Sequence, residues 1–231
     1  MYFDPFYVMF ALPALLLSMF ATALTKSRFA RYARIESQSG LTGAEAARSM
    51  LGRHGIDGVT VEQTTGFLSD HYDPRSRTLR LSPDVYGSPS LAAIGVACHE
   101  AGHALQHASG YAWLGFRNAM VPVTRFGSYF SYFVLMLGFV LQQPMLIKLG
   151  VGLFSLGVLF SVVTLPVEWN ASARARRSMV SAGIVTEAEQ QDAGKVLTAA
   201  FLTYVAGAVS SLLTLLYYLW RAGLLGGRRR N

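Results

Sequence analysis

The chain has one cysteine, Cys98. A lone cysteine excludes an intrachain disulfide and a cysteine-based zinc finger, and says little about compartment. Charge is scarce as well. Only 14% of the 231 residues are charged, against about 25% in soluble domains. The charges that exist are clustered, so long stretches carry none. No internal repeat or low-complexity linker is present. With 52% hydrophobic residues, this pattern points to a membrane protein. The net charge is +7. A nucleic-acid binder can be as basic, but here the arginines flank apolar runs as membrane-flanking charges do, and no nucleic-acid partner is expected.

Four apolar runs stand out. Residues 5–25 form the first, and Lys26, Arg28, Arg31 and Arg34 follow it at once. A signal peptide carries its positive charges before the apolar core, so an uncleaved transmembrane helix is expected, with Pro13 causing at most a local kink. Residues 119–142 and 146–167 read as a helical hairpin that crosses and returns, broken at Gln142-Gln143-Pro144. Residues 196–220 form the last span, and 221–231 a basic tail. Four spans put both termini on one side, although the basic residues near both ends favour the cytoplasm. The larger tally of Lys and Arg lies between spans one and two and between spans three and four. The section between spans one and two is therefore expected on the cytoplasmic face of a bacterial-type inner membrane.

That section, residues 26–118, is the soluble-looking part. Arg28–Ser39 reads as a basic amphipathic helix on the membrane surface. Thr42 with Glu45 makes a capping box for a helix reaching about Arg53, which Gly55 ends. A strand is expected around Val59–Thr65, a turn-rich stretch over Gly66–Pro74, and a second strand over Arg77–Ser82. That second strand would be either an internal hairpin strand or an edge for an extended substrate. A helical turn starts at Ser82-Pro83, and Ser88-Pro89-Ser90 caps the next helix. Residues 168–195 are a further segment before the last span.

The chemistry sits in His99-Glu100-Ala101-Gly102-His103. On a helix His99 and His103 share one face and can reach one Zn²⁺, while Glu100 is placed to take a proton from water. The plain alternative is a helix with two satisfied histidines. A catalytic zinc usually has three protein ligands. His107 is nearest, but lies one turn beyond His103 and about 40° around the helix, which suits a supporting role better. His54 and His71 precede the motif. Glu168 is the best downstream acid, because a carboxylate at the end of an apolar run is costly unless paired or metal-bound. Its alternative is an interface residue paired with Arg174 or Arg117. Glu187, Glu189 and Asp192 read as an exposed amphipathic face.

His99-Glu-Ala-Gly-His-Ala-Leu-Gln-His107 and Leu165-Pro-Val-Glu-Trp-Asn-Ala-Ser172 resemble the two signatures of the YugP-type membrane zinc metallopeptidases. Gly66–Pro74 and Leu79–Ser82 resemble the segment before the metal helix in that family. More distantly, Glu168-Trp-Asn-Ala171 resembles the Glu-x-x-Ala-Asp helix of HtpX-like membrane gluzincins, and by that likeness Glu168 is the third zinc ligand. Ser172 departs from the pattern, standing where an Asp supports a ligand histidine.

The resemblance implies a mostly α integral membrane protein. About four transmembrane helices would carry a small α+β gluzincin-like zinc-protease domain inserted between the first and second. It implies a zinc metalloendopeptidase that cleaves membrane or membrane-associated proteins or peptides, with Zn²⁺ on His99, His103 and Glu168 and with Glu100 as general base. His71, Tyr72, Tyr111 and Arg174 are candidates for the oxyanion donor. A zinc-binding membrane scaffold with little proteolytic activity is the main alternative. A transporter component is disfavoured by the near absence of charge within the apolar runs. Gly150, Gly152 and Gly157 would permit close helix packing within the chain or between chains, which leaves room for a homo-oligomer or a membrane-protein partner.

Overall fold

The computed structural model describes residues 4–66 and 69–225. Phe67, Leu68 and the arginines at 228–230, which entered the sequence reading, lie outside the described residues. Seven helices and three strands follow in order: α1 (Pro5–Tyr32), α2 (Gly43–Arg53), β1 (Thr60–Gln63), β2 (His71–Asp73), β3 (Thr78–Leu81), α3 (Pro83–Tyr86), α4 (Leu91–Ala108), α5 (Ala112–Val140), α6 (Pro144–Ser181) and α7 (Glu187–Arg221). Helices α1, α5, α6 and α7 are long and apolar enough to cross a membrane. At about 1.5 Å per residue, the 38 residues of α6 exceed what a bilayer core of roughly 30 Å requires. Helix α6 runs through Pro166 to Ser181, so the segment with Glu168 continues the third apolar run as one helix.

The chain divides into two compact units. The first comprises the described residues up to Ala21, Phe116–Leu165, and those from Thr203 onward. Its helices meet through small residues. A Cβ at Gly150 would come within 2.6 Å of the Leu135 side chain, and one at Gly138 within 2.8 Å of the Ile147 backbone. Hydroxyls pair across helices, Ser161 with Ser211 at 2.9 Å and Ser18 with Ser210 at 3.2 Å. The close approach at Gly150 is thus made within the chain.

The second unit comprises Thr22–Gly115 and Pro166–Leu202. Its core gathers Tyr32, Met50, Leu79, Leu81, Ile94, Met179 and Ile184, all essentially inaccessible. The capping box at Thr42 is formed: its side chain accepts from the Glu45 N–H, while Glu45 accepts from the Thr42 N–H. Ser90 caps α4 by accepting from the Ala93 N–H. The expected surface helix over Arg28–Ser39 is not formed. Helix α1 ends at Tyr32, and the next residues give their backbone groups to the stretch before α4: Leu91 N–H donates to Ile35 C=O, and Ser37 N–H to Pro89 C=O.

The sheet order is β1-β3-β2, with β1 parallel and β2 antiparallel to β3. β3 is therefore the middle strand, and the idea that Thr78–Ser82 offers a free edge is overturned. Its partner β2 comes from within the stretch expected to be turn-rich. Glu189 also departs from expectation. It is buried, caps α7 by accepting from the Thr186 N–H, and accepts from the Gln38 N–H at 2.7 Å.

Candidate metal centre

Helix α4 is buried on nearly every side, which holds its side chains in fixed positions. His99 and His103 stand one turn apart with ring centroids 4.8 Å apart. Helix α6 supplies Glu168, which is 1% exposed. Its Oε2 lies 3.2 Å from His99 Nε2 and 3.5 Å from His103 Nε2. Among the described residues these three form a cluster whose ligand atoms all lie within 4.8 Å of one another. A tetrahedral zinc with bonds near 2.0–2.1 Å places its ligand atoms about 3.3 Å apart. The two measured separations bracket that value, so the donor set fits zinc.

What lets α6 approach is Gly102. A Cβ there would fall 2.5 Å from the Ala171 carbonyl oxygen and 3.2 Å from its carbon. Ala171 and Ala175 on α6 are themselves small and fully buried. The glycine between the histidines thus sets the distance that brings Glu168 within reach.

The partners of the histidines decide which nitrogen faces the cluster. Gln106 is fully buried. Its amide nitrogen donates to the Val167 carbonyl at 2.8 Å and to Asn170 Oδ1 at 3.0 Å. A backbone carbonyl only accepts, so the amide orientation is determined and Oε1 must face His103 Nδ1, 3.0 Å away. His103 Nδ1 therefore carries a proton, and the neutral ring offers the Nε2 lone pair to the cluster. His99 Nδ1 is 3.1 Å from Ser172 Oγ, so a hydroxyl supports this ring. Arg174 Nε donates to Asn170 Oδ1 at 2.8 Å, and its guanidinium lies over the Tyr111 ring.

Glu100 is buried, and burial pushes its carboxyl up to about 7, with the nearby negative charges of Glu168 and Asp70 adding to the effect. Opposing this, the Tyr72 backbone N–H on β2 donates to it. Cys98 lies outside the cluster, and burial pushes its thiol up to about 12.

His107, nearest in sequence, is not in the cluster. Its Nδ1 pairs with the Tyr72 hydroxyl at 2.9 Å. His54 pairs with Ser178 Oγ. Of the other candidates, His71 pairs with the Ser69 carbonyl, and the Tyr111 hydroxyl donates to the Pro166 carbonyl at 3.5 Å. The sequence reading missed Gln106 and Asn170. Both were accessible to helical spacing, three residues after His103 and two after Glu168, but an uncharged amide carries no signal of its own.

The sequence profile of a family described as "Putative neutral zinc metallopeptidase" matches residues 7–223. The chain belongs to that family. It is also 44% identical over 225 residues to a Bacillus subtilis (strain 168) protein named "Putative membrane protease YugP", covering 97% of this chain and 99% of the relative. No solved structure matches. Family membership joins a putative zinc peptidase description to the cluster of His99, His103 and Glu168, and the membrane protease relative agrees with the four apolar helices of this chain.

Proposed function

We propose that this protein is a membrane-embedded, gluzincin-like zinc endopeptidase whose site faces the cytoplasm and whose substrates are membrane or membrane-associated proteins. The observation that carries the reading is the meeting of His99, His103 and Glu168 in one cluster next to the buried carboxyl of Glu100. His99, His103 and Glu168 would hold zinc, which when bound acidifies water and polarises a scissile carbonyl. Glu100 takes the proton of the attacking water and delivers it to the leaving amine, a role suited to a carboxyl near neutral pKa. The Tyr72 N–H orients that carboxyl. Gln106 and Ser172 hold the two imidazoles with Nε2 inward.

Purified protein reconstituted with zinc, tested for self-cleavage and for cleavage of an unfolded protein substrate, checks the reading. Activity should be lost with chelator and in Glu100→Gln, while the variant still binds zinc. Full activity in Glu100→Gln would refute the mechanism. Zinc binding without any cleavage by the unaltered protein would favour a zinc-binding scaffold.

A further inference from the structure

A second cavity lies in the same unit, of about 360 Å³, within the range of roughly 300–1,000 Å³ typical of ligand pockets. Its walls include Val59, Tyr72, Arg77, Ala104 and His107. Three of these tie it to the candidate metal centre. Ala104 and His107 lie on α4 just beyond His103, and Tyr72 gives its backbone N–H to Glu100.

The polar wall carries Arg77, the Tyr72–His107 pair and one acid, Asp57. Arg77 has no hydrogen-bond or ion-pair partner for its guanidinium among the described residues, and Asp57, which also lines the cavity, is not paired with it. Asp73, the nearest acid in the chain, is engaged by Arg75 N–H and Ser76 Oγ. Tyr72 and His107 pair at 2.9 Å. If the hydroxyl donates to Nδ1, the neutral imidazole has its other N–H free; if Nδ1–H donates, the hydroxyl proton is free. In either tautomer the pair keeps one polar hydrogen for an outside acceptor.

Backbone conformation is the second, independent sign. Arg77 closes the β2–β3 turn with φ 50°, in the left-handed region where glycine or asparagine is at ease and most side chains are strained. The position is held there, since Arg77 C=O accepts from the Thr60 N–H on β1. An arginine at a position that suits glycine keeps a backbone strain that a functional side chain justifies.

We propose that this cavity binds a carboxylate of a peptide chain, either an acidic side chain or a C-terminus, through Arg77 and the Tyr72–His107 pair, and so selects acidic peptides for the neighbouring centre. Apolar Val59 and Ala104 suit the ligand's methylene groups. The choice of a peptide as ligand rests on the peptidase reading above; the anion site itself does not.

The test is capture rather than cleavage, so it survives failure of the peptidase reading. Full-length, zinc-loaded Glu100→Gln protein in detergent is incubated with a random decapeptide pool, and the bound peptides are sequenced. Asp and Glu should be enriched several-fold over Asn and Gln. Adding Arg77→Gly should abolish the enrichment while holding or raising the melting temperature, because glycine relieves the strain at φ 50°. Arg77→Lys should retain part of it. Arg75→Gln, which removes the same charge two residues away and outside the cavity lining, should leave it intact. If Arg77→Gly fails to fold, Arg77→Asn takes its place. No acidic enrichment, or equal loss with Arg75→Gln, overturns the proposal. Loss of binding to short-chain phosphatidylglycerol in Arg77→Gly, without acidic peptide enrichment in its parent, also overturns it and assigns the site to a lipid phosphate.

Discussion

The two units use the same small residue for different ends. In the helical unit, a Cβ at Gly150 would fall 2.6 Å from the Leu135 side chain, and large apolar side chains such as Tyr129, Val140 and Met145 stay more than 70% exposed. In the other unit, a Cβ at Gly102 would fall 2.5 Å from the Ala171 carbonyl oxygen, and buried polar groups, Glu100, His103, Gln106 and Glu168, gather beside the contact. The difference follows from the expected surroundings. Where lipid is the solvent, apolar burial gives little drive, and close packing with hydroxyl pairs must hold helices together. Where water is the solvent, the apolar core supplies the stability, and it can carry costly buried polar groups at one place.

Gly102→Val is the strongest way to break the comparison. The new side chain would meet backbone, which cannot rotate away, so α4 and α6 must separate. Zinc affinity, measured by competition with a chromogenic chelator, should fall beyond detection. Gly150→Val should lower the melting temperature, with an overpacking cost of about 1–3 kcal/mol, yet leave zinc affinity within about twofold. Equal zinc loss in both variants would mean that the centre depends on the helical unit as a whole.

A milder effect is expected from Gln106→Leu. It removes the group that determines the His103 tautomer, and losing such a support typically costs about 10–100-fold in metal affinity. Ser172→Ala should cost less, because its hydroxyl is not held in one orientation by a backbone carbonyl. Unchanged affinity in Gln106→Leu would remove it from the centre.

The smallest effect concerns Glu100 in the chelated protein. Its folded carboxyl sits at about 7 against the ordinary 4.5, so the folded state holds the proton more tightly than the unfolded chain. That contribution to stability is complete below about pH 4.5 and is lost as pH rises through 7. Glu100→Gln should therefore match the unaltered protein at pH 4.5 and melt a few degrees higher at pH 8. A constant difference across that range would show that Glu100 is not buried as a neutral acid.

Much of this was legible along the chain. Apolar run lengths located the four long helices, because a helix that crosses a membrane must be apolar over a set length. Thr42 with Glu45, and Ser90, marked helix starts because capping is a contact between residues three apart. The surface helix over 28–39 failed because those backbone groups bond to the chain before α4, a partner some fifty residues away. Whether β3 was an internal strand or an edge stayed open for a similar reason: nothing within Thr78–Leu81 records that strands lie on both sides.

By itself the sequence determined the pair His99 and His103 with Glu100 between them, since helical repeat is a local property and four residues always return to one face. The tertiary structure decided the rest of the centre. It brought Glu168 from sixty-five residues beyond His103 (168 minus 103) to within 3.5 Å, excluded His107, and set the His103 tautomer through Gln106 and the Val167 carbonyl. Those outcomes depend on how closely two helices approach, and that distance is decided by the absence of a side chain at Gly102.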